Sequence, residues 1–347
     1  MNVLLLGFGS VGRAFCNLLK EQEFSLKELL PAGVEVKVVG IGTKTRGCLF
    51  SRDGLPLKQI LDFESKTGKL TGMDSLYAYP YDSESLVSEG DYDLLVECTT
   101  SSMSSRGGVA RLIKIALDRG KTVVTCNSAV VYNHYFELKE LSEQKGASFI
   151  FDSAVIAGVP LFSFMKHCLP CAKVVSCYGV INGTSNYVLE MMEEGSTLDE
   201  AIMEAVRKGC AEKDPLLDIE GTDSAVKASI IAQVLMGASF HALEEISIEG
   251  IRNVTPEMFR KAKKEGARVK LVAKIQKVLG SVQISVRPEV VPSDNPVSRL
   301  RGASKGVIMT TDIAGEVYLA SDGFGPRQVG YGLLRDVLEY ISGKIKT

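Results

Sequence analysis

Asn2-Val3-Leu4-Leu5-Leu6-Gly7-Phe8-Gly9-Ser10-Val11-Gly12 runs from an unbroken apolar segment straight into three glycines. Such a stretch reads as a buried strand, a tight turn and the start of a helix, and residues 11–23 continue with helical periodicity. Each glycine has its own task. Gly7 permits the tight turn, Gly9 lets the backbone approach a pyrophosphate, and Gly12 lets helix and strand pack closely. The unpaired N–H groups at the helix start, around Ser10 and Val11, then face the phosphates. A bare glycine pattern is only a turn; the strand–turn–helix context is what points to a dinucleotide.

Residues 34–41, 92–98 and 122–126 are further apolar strands, with a helical pattern at 109–119. Strands that are apolar throughout and separated by helices predict an α/β fold, a Rossmann-type doubly wound parallel sheet covered on both faces. The polar stretch 43–88 predicts a helix at 57–66 and a surface loop around 68–72. After about Ser128 the pattern changes. Strand-like 148–151 precedes a short helix at 161–167, a strand at 173–181, and helices at 185–194, 198–208 and 222–236. Strands at 269–278, 282–290, 307–311 and 315–319 follow, adjacent in sequence, so a second α+β domain with a mixed or antiparallel sheet is expected. The expected division is a dinucleotide-binding domain over 1–130, rejoined by 321–347 through a helix at 329–344, and a substrate-binding and dimerisation domain over 131–320. Apolar strands such as 269–278 call for a covering partner, so a homodimer is expected.

The chain has 347 residues, 45% hydrophobic and 24% charged, with a formal net charge of −2. That balance excludes a general polyanion binder, since nucleic-acid affinity rests on excess Lys and Arg. No apolar run reaches the length of a membrane span. No basic segment with a cleavage site opens the chain, so a cytoplasmic location without a signal peptide is expected. Eight cysteines are scattered, several inside apolar runs, which suits a reducing compartment. Cys168-Leu-Pro-Cys171 beside His167 is the one spacing of redox or metal interest, but with only three histidines in the chain a zinc site lacks ligands, and reduced thiols are expected.

The end of the second strand selects the cofactor. Many NAD enzymes place an acid there for the ribose 2′-hydroxyl. Here Ile41-Gly42-Thr43-Lys44-Thr45-Arg46 has none, and Lys44 and Arg46 suit a 2′-phosphate, so NADP is expected ahead of NAD. At the end of the third strand, Glu97-Cys98-Thr99-Thr100-Ser101 lies at the carboxyl edge, where Thr99 and Thr100 either line the cofactor or cap a turn.

The densest chemistry lies in Ala205-Val206-Arg207-Lys208-Gly209-Cys210-Ala211-Glu212-Lys213-Asp214-Pro215-Leu216-Leu217-Asp218-Ile219-Glu220-Gly221-Thr222-Asp223-Ser224-Ala225-Val226-Lys227. Pro215 and the acids predict a loop up to Gly221, with a helix starting at Thr222. Asp223 and Lys227, four apart, share a helical face. Such a pair at a pocket edge handles a proton moving with a hydride, or simply stabilises the helix.

This segment resembles the signature of homoserine dehydrogenases at Ala205, Gly209, Asp214, Pro215, Asp218, Gly221, Asp223 and Lys227, and departs from it at Cys210. Gly179-Val180-Ile181-Asn182-Gly183-Thr184-Ser185-Asn186-Tyr187 and Asp152-Ser153-Ala154-Val155-Ile156-Ala157-Gly158-Val159-Pro160 are similar to two further segments of that family. The resemblance implies hydride transfer between L-homoserine and L-aspartate 4-semialdehyde, in threonine and methionine biosynthesis. It implies Lys227 and Asp223 at the reacting hydroxyl, Glu212 on the substrate ammonium, Asp218 in the supporting network, and backbone of Gly183 and Thr184 toward the substrate. It implies Asn127 and Gly323 near the cofactor. It also implies a monovalent cation held by the Asp152 carboxylate and the carbonyls of Val155, Ala157 and Val159, with an aspartate where the family has glutamate.

Two departures fall at the implied active site. Val123-Val124-Thr125-Cys126-Asn127-Ser128 ends in a serine where the family has a lysine, and a serine is neutral. Ser321-Asp322-Gly323-Phe324-Gly325 replaces a glycine-rich run near the nicotinamide. Arg106 and Lys305 are conceivable sources of the lost charge. The departures keep two alternatives open: a paralogous dehydrogenase of another small amino or hydroxy acid, and a cofactor-binding regulatory protein with little turnover. No regulatory domain is expected after Lys344.

Overall fold

The apolar N-terminal run forms β1 (Asn2–Leu6), and Gly9 caps α1 (Ser10–Glu21) behind it. A computed structural model describes residues 1–73, 76–101 and 107–343, so Arg106 and the expected helix end at Lys344 lie outside the described residues. The chain continues through α2 (Glu23–Leu29), β2 (Lys37–Gly42), β3 (Cys48–Phe50), α3 (Leu57–Thr67), β4 (Ala78–Tyr79), α4 (Ser83–Glu89), β5 (Leu94–Glu97), α5 (Gly108–Asp118), β6 (Thr122–Thr125), α6 (Ser128–Gln144) and β7 (Phe149–Ile150).

These strands form a seven-stranded sheet in the order β4-β3-β2-β1-β5-β6-β7. β2, β1, β5, β6 and β7 are parallel, and β3 and β4 add antiparallel to the β2 edge. Val3, Leu5, Val96 and Val124 are buried with Phe8 and Phe15, which is why the strands read as apolar on both faces. The strand order reverses at β1 and β5, so their carboxyl ends make the crevice where this architecture binds ligands.

The rest comprises α7 (Leu161–Cys168), β8 (Val174–Val180), α8 (Gly183–Glu193), α9 (Leu198–Arg207), α10 (Leu216–Ile219), α11 (Thr222–Met236), β9 (Ser247–Ile248), α12 (Pro256–Lys264), β10 (Ala267–Val278), β11 (Ser281–Pro292), β12 (Lys305–Thr311), β13 (Glu316–Ser321) and α13 (Gly325–Ile341). A six-stranded mixed sheet runs β13-β12-β8-β10-β11-β9, antiparallel except where β9 joins β11. α11 packs on β8, β10 and β11 and is apolar almost all round, the pattern of a buried helix.

Contacts divide the chain into Met1–Ala157 with Val329–Thr347, and Gly158–Gln328. The first unit runs past the break expected at 130, because α6 lies within it, and the chain rejoins it at Val329 instead of 321. Most of the buried residues of that helix lie at its start, 128–132, and mark no clear stripe, yet it packs against α5 and belongs with the first sheet. The short helix α10 also occupies what was expected as a loop. The apolar side of β10 needs no second copy to cover it: Val269, Leu271 and Ile275 are 4%, 2% and 1% exposed within the single chain. No described helix is long and apolar enough to cross a membrane.

α13 returns Leu333, Leu334 and Val337 to the first core. It approaches α1 closely because Gly330 has no side chain; a Cβ there would stand 2.8 Å from the Phe15 nitrogen and 3.0 Å from the Ala14 methyl. Gly330→Val should therefore destabilise the protein by about 1–3 kcal/mol, the usual scale of overpacking. Urea unfolding checks this, and an unchanged midpoint would show that α13 does not depend on this approach.

Candidate active site

In the first unit the glycine turn has the geometry its residues predict. Gly7 adopts φ +100°, and a Cβ there would lie 2.8 Å from the Cys98 carbonyl carbon. A Cβ on Gly12 would press on the Gly7 carbonyl and stand 3.2 Å from Cys98 Sγ. At Gly9 a Cβ would meet nothing within 4 Å, so space lies open above the N-terminus of α1, where Ser10 is exposed and no side chain caps the helix. A pyrophosphate fits such a place.

Behind the turn sits Glu97, fully buried at the end of β5. It accepts from the Thr99 backbone N–H at 2.7 Å, from the Thr99 hydroxyl and from the Thr125 hydroxyl, with the Asn127 amide also bonded to it. Burial pushes its pKa up, and these donors pull it back. The Thr99 hydroxyl is thus committed to Glu97, while Thr100 is exposed. Asn127 also caps α6, accepting from the Val130 N–H at 3.2 Å. The sequence gives no local sign that Glu97 organises this edge, because Thr125 and Asn127 reach it only through the fold.

At the end of β2, the Thr43 hydroxyl donates to the Gly47 carbonyl at 2.7 Å and accepts from the Arg46 N–H, closing the turn. Lys44 is exposed there. Arg46 is not a free cation: its guanidinium and that of Arg13 each lie 2.6 Å from Glu64 Oε1, and Glu64 is 5% exposed. Arg13 and Glu64 were both missed. Arg13 directly follows Gly12, a usable signal; Glu64 had none, because only the fold brings α3 to the turn.

Ser128 opens α6, 9% exposed, with its hydroxyl 3.3 Å from that of Ser101. Asp152 starts a buried 3-10 turn in which the neighbouring Ser153 hydroxyl donates to Asp336 at 2.9 Å. Arg335 pairs with Asp336 and lies within electrostatic reach of Asp152. Val155, Ala157 and Val159 are buried, and no cluster of His, Cys, Asp or Glu suited to a metal exists among the described residues. Cys168 and Cys171 are exposed free thiols.

In the second unit the predicted proton-handling residues meet. Asn182 ends the β8 segment and caps α8, accepting from the Ser185 N–H at 2.8 Å. Its amide nitrogen donates to Asp218 and, at 2.7 Å, to Asp223. Lys227 Nζ lies 2.7 Å from Asp223, one turn along α11. Burial disfavours the charge on Lys227, but Asp223 and then Asp218 outweigh it and hold its pKa above the ordinary lysine value. The Asp218 carboxyl is pushed up to about 6, by burial first and then by Asp223, against the pull of Lys227 and Asn182. Asn182 is the residue sequence reasoning left without a role, although the quoted motif contains it. Glu212 is exposed and adds its negative charge to Asp218. Gly183 starts α8 where a Cβ would strike the Ala303 carbonyl, and the Thr184 hydroxyl donates to the Cys210 carbonyl at 2.9 Å. Gly323 offers its carbonyl to Lys305 Nζ at 3.3 Å.

Comparison with known proteins matches both units. The homoserine dehydrogenase NAD-binding domain model covers residues 7–152, and the homoserine dehydrogenase model covers 160–338. The chain is similar to the homoserine dehydrogenase of Methanocaldococcus jannaschii, 31% identical over 344 residues, 97% of this chain and 98% of that one. It is also similar to the NAD(+)-dependent homoserine dehydrogenase of Pseudomonas canavaninivorans, 30% identical over 340 residues, 96% of this chain and 94% of the other. A solved hyperthermophilic archaeal homoserine dehydrogenase in complex with NADPH superposes with a TM-score of 0.82 at 30% identity, covering 99% of this chain and 98% of its own. Matched in both units and aligned over nearly its whole length, the chain belongs to the homoserine dehydrogenase family of NAD(P)-dependent oxidoreductases.

Proposed function

We propose that the protein interconverts L-homoserine and L-aspartate 4-semialdehyde with NADP(H) as the preferred cofactor. The observation that carries this reading is the single Asn182 amide shared by Asp218 and Asp223, with Lys227 held against Asp223. When bound, the nicotinamide supplies the hydride acceptor or donor. Lys227 donates a hydrogen bond to the reacting oxygen; in the reducing direction its ammonium gives that oxygen the proton, and Asp223 balances the charge. Glu212 holds the substrate ammonium, Asp218 keeps Asn182 and Asp223 in place, and the backbone of Gly183 and Thr184 faces the substrate. Ser128 favours one second reading, a related amino or hydroxy acid as substrate, because a neutral hydroxyl replaces an expected ammonium.

The NADP preference rests on charge. Arg13 and Arg46 share one carboxylate, leaving a net positive cluster beside exposed Lys44, which suits a 2′-phosphate. Cytoplasmic residence suits the eight free cysteines. A homodimer through the second unit is supported by a half-exposed sheet face: Tyr318, Ile308, Tyr178 and Lys274 stand opposite one another across four strands.

Kinetics, cofactor titration and light scattering test these points. Steady-state assay against a panel of small amino and hydroxy acids should give the highest kcat/KM for homoserine. Lys227→Ala should lower kcat about 100-fold or more with cofactor affinity unchanged. Because the pKa of Lys227 is raised, its neutral form is scarce at neutral pH, so homoserine oxidation should accelerate as the pH rises above 8 while reduction does not. Another best substrate, or a Lys227→Ala variant with normal turnover, refutes the assignment. Fluorescence titration should show tighter binding of NADPH than NADH, weakened when Lys44→Ala and Arg46→Ala are combined; equal affinities contradict the charge argument. Light scattering should give a dimer at micromolar concentration, and a stable monomer counts against the sheet-face interface.

A further inference from the structure

Lys305 opens β12 in surroundings arranged to hold an ammonium. β12 runs antiparallel to β8 with Gly306 opposite Val180, so Lys305 stands at the strand end from which β8 passes into Asn182. The lead-in to β12 stays against that end, since Gly183 has room only for a hydrogen beside the Ala303 carbonyl. Lys305 therefore emerges at the same sheet edge as the Asn182–Asp218–Asp223 network.

Its Nζ donates to Gln328 Oε1 at 2.9 Å and to the Gly323 carbonyl at 3.3 Å. Both acceptors are neutral. An ammonium has three donors, so one remains unassigned among the described residues. Gln328 is itself fixed, its amide nitrogen donating to the Ser321 hydroxyl at 2.7 Å. A Cβ at Gly158 or at Gly323 would run into the Gln328 amide. Two glycines and a serine thus seat the glutamine that aims the lysine.

The electrostatics agree with that geometry. Burial pushes the Lys305 pKa down to about 8, the Lys227 charge adds to the fall, and Asp223 only partly opposes it. Lys227 is balanced by its own ion pair with Asp223; Lys305 is not. A full negative charge against the free N–H direction would relieve a desolvated ammonium.

We propose that Lys305 is a substrate-contacting cation of this site and binds the carboxylate of the amino-acid substrate, while Lys227 serves the reacting oxygen. The identity of that substrate rests on the homoserine reading. The assignment supplies a second positive charge beside Lys227, and it restricts the site to substrates that carry an acid group.

Kinetics of the full chain test it, with unreactive L-2-aminobutyrate as the carboxylate-bearing competitor of homoserine. Lys305→Met should raise the inhibition constant of L-2-aminobutyrate and the KM for homoserine each by about 10-fold or more, the scale of a charged hydrogen bond. It should leave kcat within about 3-fold, with NADPH affinity and the thermal midpoint unchanged. Lys305→Arg should restore part of the loss. An unchanged inhibition constant in Lys305→Met, or a loss confined to kcat, overturns this assignment alone. Absence of homoserine turnover by the unmodified protein overturns the homoserine reading and this assignment with it.

Discussion

Asp218 and Asp223 are like charges drawn onto one donor, the Asn182 amide. Two carboxylates so placed repel, and Lys227 offsets part of that repulsion with a positive charge beside them. Folding raises the Asp218 pKa from 3.8 to about 6, so the folded chain holds that proton more tightly than the unfolded one. The stability this contributes is complete below 3.8 and is lost as the pH rises through about 6. At neutral pH the Asp218 contribution is gone, while Lys227, whose pKa is raised by Asp223 and Asp218, still favours the folded chain.

The fold makes the sharing possible by converging three elements on one amide. β8 delivers Asn182, whose side-chain oxygen is used up in capping α8, so its nitrogen is turned toward the acids. α10 carries Asp218, and the first turn of α11 carries Asp223 with Lys227 one turn on. The dinucleotide cradle in the first unit is built on the same economy of backbone. Gly7 and Gly12 give strand and helix their close approach, and buried Glu97 holds the Thr99, Thr125 and Asn127 segment in shape behind them.

Much of this was legible in the residues, for physical reasons. The glycine turn announces itself because only glycine adopts the φ of Gly7 beside the Cys98 backbone. Asp223 and Lys227 are readable because helical spacing alone sets their meeting. What stayed hidden depends on tertiary contact. α6 carries no clear apolar stripe, so the sequence does not mark how far the first unit extends past Ser128. Arg46 read as a free cation because nothing local ties it to Glu64. Asn182 read as one member of a motif because its two acceptors lie far along the chain.

The central claim is that Lys227, set by the Asn182–Asp218–Asp223 network, meets the reacting oxygen. A crystal structure of the protein with NADP and L-homoserine tests it most directly. The account predicts the homoserine side-chain hydroxyl within hydrogen-bond distance of Lys227 Nζ. A bound homoserine whose hydroxyl lies away from Lys227 and Asp223 would contradict it.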